Sequence, residues 1–142
     1  MQIKAEYAFS VPWWWYILPA YLTLWTLIFS IYSLIDGQGL MESFGIDTGG
    51  ASEFILLNSG GRYLALAVAM ILGILVFRTF SSTITALLAR LAMDLLDLWA
   101  GLQAGVIADT SGVIQSFLMF LLPNFISLWF IIRFKNRALN KT

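Results

Sequence analysis

One stretch of this chain, 83–108, is long and apolar enough to cross a bilayer and yet carries Arg90, Asp94 and Asp97. A span needs about 20 apolar residues, and an ionisable side chain at that depth costs a few kcal/mol unless it is paired or wetted. Any fold must therefore hold the three on an inward face. Ala86, Arg90, Asp94, Asp97, Gly101 and Gly105 recur at steps of four, four, three, four and four, which keeps them on one side of a helix.

The rest of the sequence makes the membrane setting explicit. Hydrophobic residues are 60% of the total and charged ones 11%, against about a quarter charged in soluble domains, and the mean hydropathy is +0.84. Apolar runs bounded by polar or Gly-rich breaks give four spans, 14–35, 53–77, 83–108 and 113–134, in one domain of 142 residues. The first run exceeds a signal-peptide h-region and lacks a small-residue cleavage site, so it reads as a retained span. The expected fold is all-α, a bundle of four transmembrane helices in antiparallel up-down order. Both termini and the middle turn then share a side with Lys4, Arg78, Arg133, Lys135, Arg137 and Lys141, while Asp36, Glu42, Asp47, Glu53 and Asp109 take the other. The positive-inside rule makes the basic side cytoplasmic. Trp13, Trp14, Trp15 and Tyr16 form an aromatic anchor on that side, level with Trp129, Phe130 and Phe134. The outer loop, 36–52, is broken into turns by five glycines. Within it Leu40, Met41, Phe44 and Ile46 are expected to lie on the membrane surface as a short amphipathic turn, and the loop as a whole to form a cap or lid over the outer mouth of the bundle.

Gly61, Ala65, Ala69 and Gly73 make a small-residue ridge on the second span, the spacing that lets helices approach closely in a bilayer. The ridge is expected to face the charged stripe. Counting from the turn at 78–82 at 1.5 Å per residue puts Arg62 about 22 Å and Asp97 about 21 Å from their inner ends. This predicts an Arg62–Asp97 pair between helices and an Arg90–Asp94 pair within the third span. Thr23, Thr26, Ser30 and Ser33 give the first span a polar face, and Pro123 loosens the fourth, where Asn124 or a water is expected to satisfy freed carbonyls. Arg62, Arg90, Asp94, Asp97 and Asn124 are thus the candidate cluster. On one reading it is an interhelical clamp that sets packing; on the other it lines a hydrated pocket opening outward beneath the loop.

Several chemistries are excluded. There is no Cys and no His, so thiol catalysis, thiolate sites and the commonest metal ligand are absent, and no metal or cofactor is expected. A formal net charge of zero without a basic stripe argues against nucleic acid. Asp47-Thr48-Gly49 spells the aspartic-protease tripeptide, but that chemistry needs two carboxylates sharing a proton on a paired scaffold. Thr110 or Ser111 reads as a helix N-cap, and the sequon at 140–142 falls on the cytoplasmic side. Gly101-x-x-x-Gly105 suits packing within the subunit first and a homodimer second, and the partners implied are membrane lipid and either another membrane protein or a second copy.

Gly60-Gly61-Arg62 opening the second span, followed by Arg90-x-x-x-Asp94-x-x-Asp97, resembles small four-helix bacterial membrane proteins distantly similar to the DoxX-like group. The likeness covers the middle half of the chain. It implies a bacterial inner-membrane bundle and, for some relatives, a subunit of membrane redox or stress-response complexes; it carries over the fold and no activity. The expected function is a non-enzymatic accessory or structural subunit. The alternative is a small transporter or binding protein for a polar solute or lipid head group. An enzyme acting on a lipid or quinone ranks behind both.

Overall fold

A computed structural model describes residues 11–43, 53–103 and 110–139. They are helical almost throughout, with no strand among them. Helix α1 (Ile17–Ser43) follows a 3-10 turn at Trp13–Tyr16. Helix α2 (Glu53–Ile71) runs on into a π turn at Leu72–Val76. Helix α3 is Phe80–Gln103, and α4, Thr110–Leu139, contains a π turn at Phe117–Leu121. α1 and α2 pack along their lengths, α3 touches α2 and α4, and α4 returns to α1, closing a ring of four.

Three segments, Trp13–Glu42, Leu57–Val76 and Thr110–Leu139, are long and apolar enough to cross a membrane. α3 has the length, 24 residues, but its three charges set it apart by composition. Its burial pattern is nonetheless inverted. Leu88, Leu95, Leu96, Trp99 and Leu102 are exposed, whereas Thr83, Arg90 and Asp94 are buried. α1 does the same, with Leu24, Ile28, Ile31 and Ile35 outside and Thr26, Ser30 and Ser33 inside. A helix facing water shows the opposite arrangement.

The two ends of the ring differ. At one end Trp15, Leu22, Met70, Ile74, Phe80, Leu87 and Ile131 form a closed apolar cluster. There the Trp15 indole donates to the Ser127 carbonyl at 3.2 Å, and Trp14 meets Phe130 and Phe134 edge-on at 5.2 and 6.1 Å. The aromatic groups of the first and last spans thus sit level, as the sequence predicts. Arg78, at φ 50°, turns the chain from α2 to α3 at this end and reaches the Tyr16 hydroxyl at 3.4 Å.

Several expectations need correction. The loop 36–52 starts with more helix, because Asp36 breaks α1 (φ −148°, ψ 67°) and accepts from the Gly39 N–H at 2.9 Å, capping residues 37–43 as a second segment. The small-residue ridge does not face α3: Gly61, Ala65 and Ala69 are exposed, and only Gly73 meets α3. The close approach higher up is made by Gly60 against α1, where its carbonyl accepts from Ser30 Oγ at 3.1 Å. Pro123 follows a π turn, which absorbs the missing donor by widening the helix. Thr110 and Ser111 lie in the first turn of α4, whose preceding residues are outside the described ones. The loop tip 44–52, Gly105, Asp109 and the sequon at 140–142 lie outside the described residues.

Candidate functional site

The end of the ring opposite the apolar cluster encloses a cavity of about 590 Å³. All four helices line it, and it reaches the 37–43 segment through Leu40 and Met41. Of the five residues the sequence nominates, Arg90, Asp94 and Asp97 border this space and Arg62 and Asn124 do not.

Arg90 is held on every side. Nε and Nη2 donate to the two oxygens of Asp94 at 3.0 and 2.7 Å, a bidentate pair one helical turn apart. Nη1 donates to Thr26 Oγ1, whose own proton goes to the Leu22 carbonyl at 2.7 Å. The Phe120 ring lies 5.8 Å below the guanidinium carbon. With 4% and 6% of their side chains exposed, Arg90 and Asp94 are a desolvated, mutually neutralised pair.

Asn124 explains why α3 and α4 are locked together. In the amide orientation that satisfies both groups, it donates to the Leu87 carbonyl at 3.2 Å and accepts from the Leu91 N–H at 2.9 Å. It therefore grips the backbone of α3 from the neighbouring helix and leaves the carbonyls freed by Pro123 alone.

Asp97 is where the structure departs furthest from the sequence reading. Its Oδ2 accepts from the Tyr63 hydroxyl. The expected partner, Arg62, is exposed and points its Nη2 at Met93 Sδ, 3.5 Å away, with no ion pair to Asp97. Depth counting was right to within a residue, but one residue is about 100° of helix rotation. Turning α2 so that Gly60, Ala67, Met70 and Gly73 face inward swings Tyr63 into the cavity and Arg62 out of it. A double-mutant cycle in thermal unfolding checks this: Tyr63→Phe with Asp97→Asn is expected to couple by about 1–2 kcal/mol. Arg62→Gln with Asp97→Asn should add independently, and coupling in that second cycle would restore the rejected pair.

Sequence reasoning also passed over the aromatic lining. Trp25, Phe29, Tyr63 and Phe120 form a connected wall, each ring centroid 5.7–6.4 Å from a neighbour in the set. The spacing of Trp25 and Phe29, one turn apart and beside the polar Thr26–Ser33 face, is the signal that would have disclosed it. Among the described residues no group of three His, Cys, Asp or Glu converges enough to hold a metal ion. No protein-family model, curated protein or solved structure matches the chain.

Proposed function

We propose that the chain is an integral membrane protein of four spans, both termini in the cytoplasm, that binds a small solute in the cavity between its helices. For a bacterial chain the membrane is the inner one. The observation that carries the reading is the inverted burial of α3: apolar residues outside and an Arg90–Asp94 pair inside suit a helix surrounded by lipid. On this reading α3 is the fourth span, its charges hidden from lipid. The basic residues Arg78, Arg133, Lys135 and Arg137 flank the closed end, which the positive-inside rule assigns to the cytoplasm. The cavity then opens outward, under the 37–43 segment.

The structural and binding readings divide the cluster between them. Arg90, Asp94, Thr26 and Asn124 are a clamp: each is satisfied by protein partners and buried. Asp97 and Tyr63 face open space within a volume typical of small-molecule pockets, a few hundred to about 1,000 Å³. An accessory subunit that only packs against partners has no need of such a space. Small-solute binding or transport is accordingly favoured over a purely structural role.

The absence of cysteine makes the test direct. Single-cysteine variants Ser59→Cys and Ser116→Cys, both at the cavity, are expected to react with a membrane-impermeant thiol reagent supplied from outside. Ser30→Cys, buried on the Gly60 carbonyl, should be slower by about tenfold or more. Equal silence at all three positions would mean a dry, closed interior and leave the clamp alone. Reaction only from the cytoplasmic side would reverse the orientation.

A further inference from the structure

We infer that the cavity takes a monovalent organic cation, an alkylated or aryl-substituted ammonium or its equivalent, with Asp97 as counter-ion and the Trp25–Phe29–Phe120 faces as walls. The inference deepens the binding reading above and rests on it.

Charge comes first. Among the described lining residues the ionic groups are Arg90 (+1), Asp94 (−1) and Asp97 (−1), a formal sum of −1. The positive charge is spoken for: three of its nitrogens donate to Asp94 and Thr26, and its face rests on Phe120. An anionic ligand would have to break that bidentate pair to find a partner. Asp97 has no cationic partner among the described residues, and one of its oxygens is engaged by a neutral donor, Tyr63. It is partly exposed and borders the cavity. A carboxylate in a low-dielectric space attracts a positive charge strongly.

The walls then narrow the class of cation. A hard metal ion needs six or more converging oxygens, and among the described residues no three acidic side chains converge to hold one. Aromatic faces, by contrast, attract large, weakly hydrated cations through the ring quadrupole. Phe29 and Phe120 meet at 6.4 Å and 69°, and Trp25 and Phe120 at 6.4 Å and 88°. These three rings, on two helices, border the same cavity as Asp97. Leu40 and Met41 add an apolar, adaptable rim that tolerates bulky substituents. The ammonium group can arrive on a free solute or on a lipid head group, and both present the same chemistry to this site.

The test uses the full chain in a neutral detergent and two probes of matched shape and opposite charge, tetraphenylphosphonium and tetraphenylborate, with tetraethylammonium as a smaller cation. Calorimetric titration is expected to show saturable binding of at least one of the cations, one per chain, and none of the borate. Asp97→Asn should weaken cation binding by about tenfold or more, and Phe29→Leu by about threefold or more. Gln115→Lys, an exposed change at the cavity edge that leaves the clamp intact, should also abolish cation binding, which keeps the test decisive if Asp97→Asn fails to fold. Displacement by lysophosphatidylcholine and not by lysophosphatidylglycerol would identify a head group as the source; indifference to both would identify a free solute. Saturable binding of the borate, with Asp97→Asn indifferent, overturns the cationic class and leaves the cavity a binding site. No saturable binding of any probe, together with thiol silence at Ser59→Cys and Ser116→Cys, overturns both.

Discussion

Arg90→Gln is expected to destabilise the bundle by about 3–5 kcal/mol, the largest effect of any single change at the site. The loss exceeds the value of the interaction removed. Without the guanidinium, Asp94 stays buried with both oxygens robbed of charged donors, and Asp97 stands three residues away on the same face of α3. Thr26 also loses the donor to its hydroxyl oxygen. Asp94→Asn should cost a similar amount for the mirror-image reason, since it strands a buried cation. Arg90→Met combined with Asp94→Leu removes both charges at similar volume. By the behaviour of buried pairs elsewhere it should recover much of the loss. Unfolding in detergent, followed by helicity and by tryptophan fluorescence, reads all three. Arg90→Gln within about 0.5 kcal/mol of the parent would mean that water reaches the base of the cavity and that the pair is solvated.

The same pair shows what a sequence with this composition discloses and what it withholds. The i,i+4 spacing of Arg90 and Asp94 was enough to predict their bond, because both ends lie on one helix and no docking geometry enters. Asp36 was legible as the end of the first long helix, since a charged residue before Gly37 interrupts an apolar run. The level of Trp14 with Phe130 and Phe134 followed from counting along spans anchored at one interface. The rotation of α2 about its own axis was not legible. In water an apolar stripe declares which side of a helix is buried. From Leu64 to Ile71 α2 is apolar on every side, so Gly61, Ala65 and Ala69 looked as suitable for an interface as Gly60, Ala67 and Gly73. That one ambiguity exchanged Arg62 for Tyr63 at Asp97. The role of Asn124 was hidden for a related reason: its partners are the backbone groups of Leu87 and Leu91 on another helix, and backbone groups leave no mark in a sequence.

Gly73→Val carries the second large expectation, a loss of about 3 kcal/mol, the upper end of the overpacking range. A Cβ at Gly73 would lie 2.9 Å from the Ser82 carbonyl oxygen and 3.0 Å from the Ala86 Cβ. The first of these is backbone, which cannot rotate aside, so α2 and α3 must separate. Separation would also strip the Gly73 carbonyl of two donors, Ser82 Oγ at 2.9 Å and Thr83 Oγ1 at 3.1 Å. Those hydroxyls supply partners to a carbonyl lying within a π turn. Gly61→Val is the control, because a Cβ there meets nothing within 4 Å; it should shift stability by no more than about 0.5 kcal/mol. The two glycines belong to the same four-residue series in the sequence, so the contrast tests tertiary placement at two positions that the sequence alone does not tell apart. Equal damage at Gly61 would show that the outward ridge is covered after all. Its dependence on protein-to-detergent ratio would then say whether the cover is a second copy of the chain, since only an interface between copies weakens on dilution.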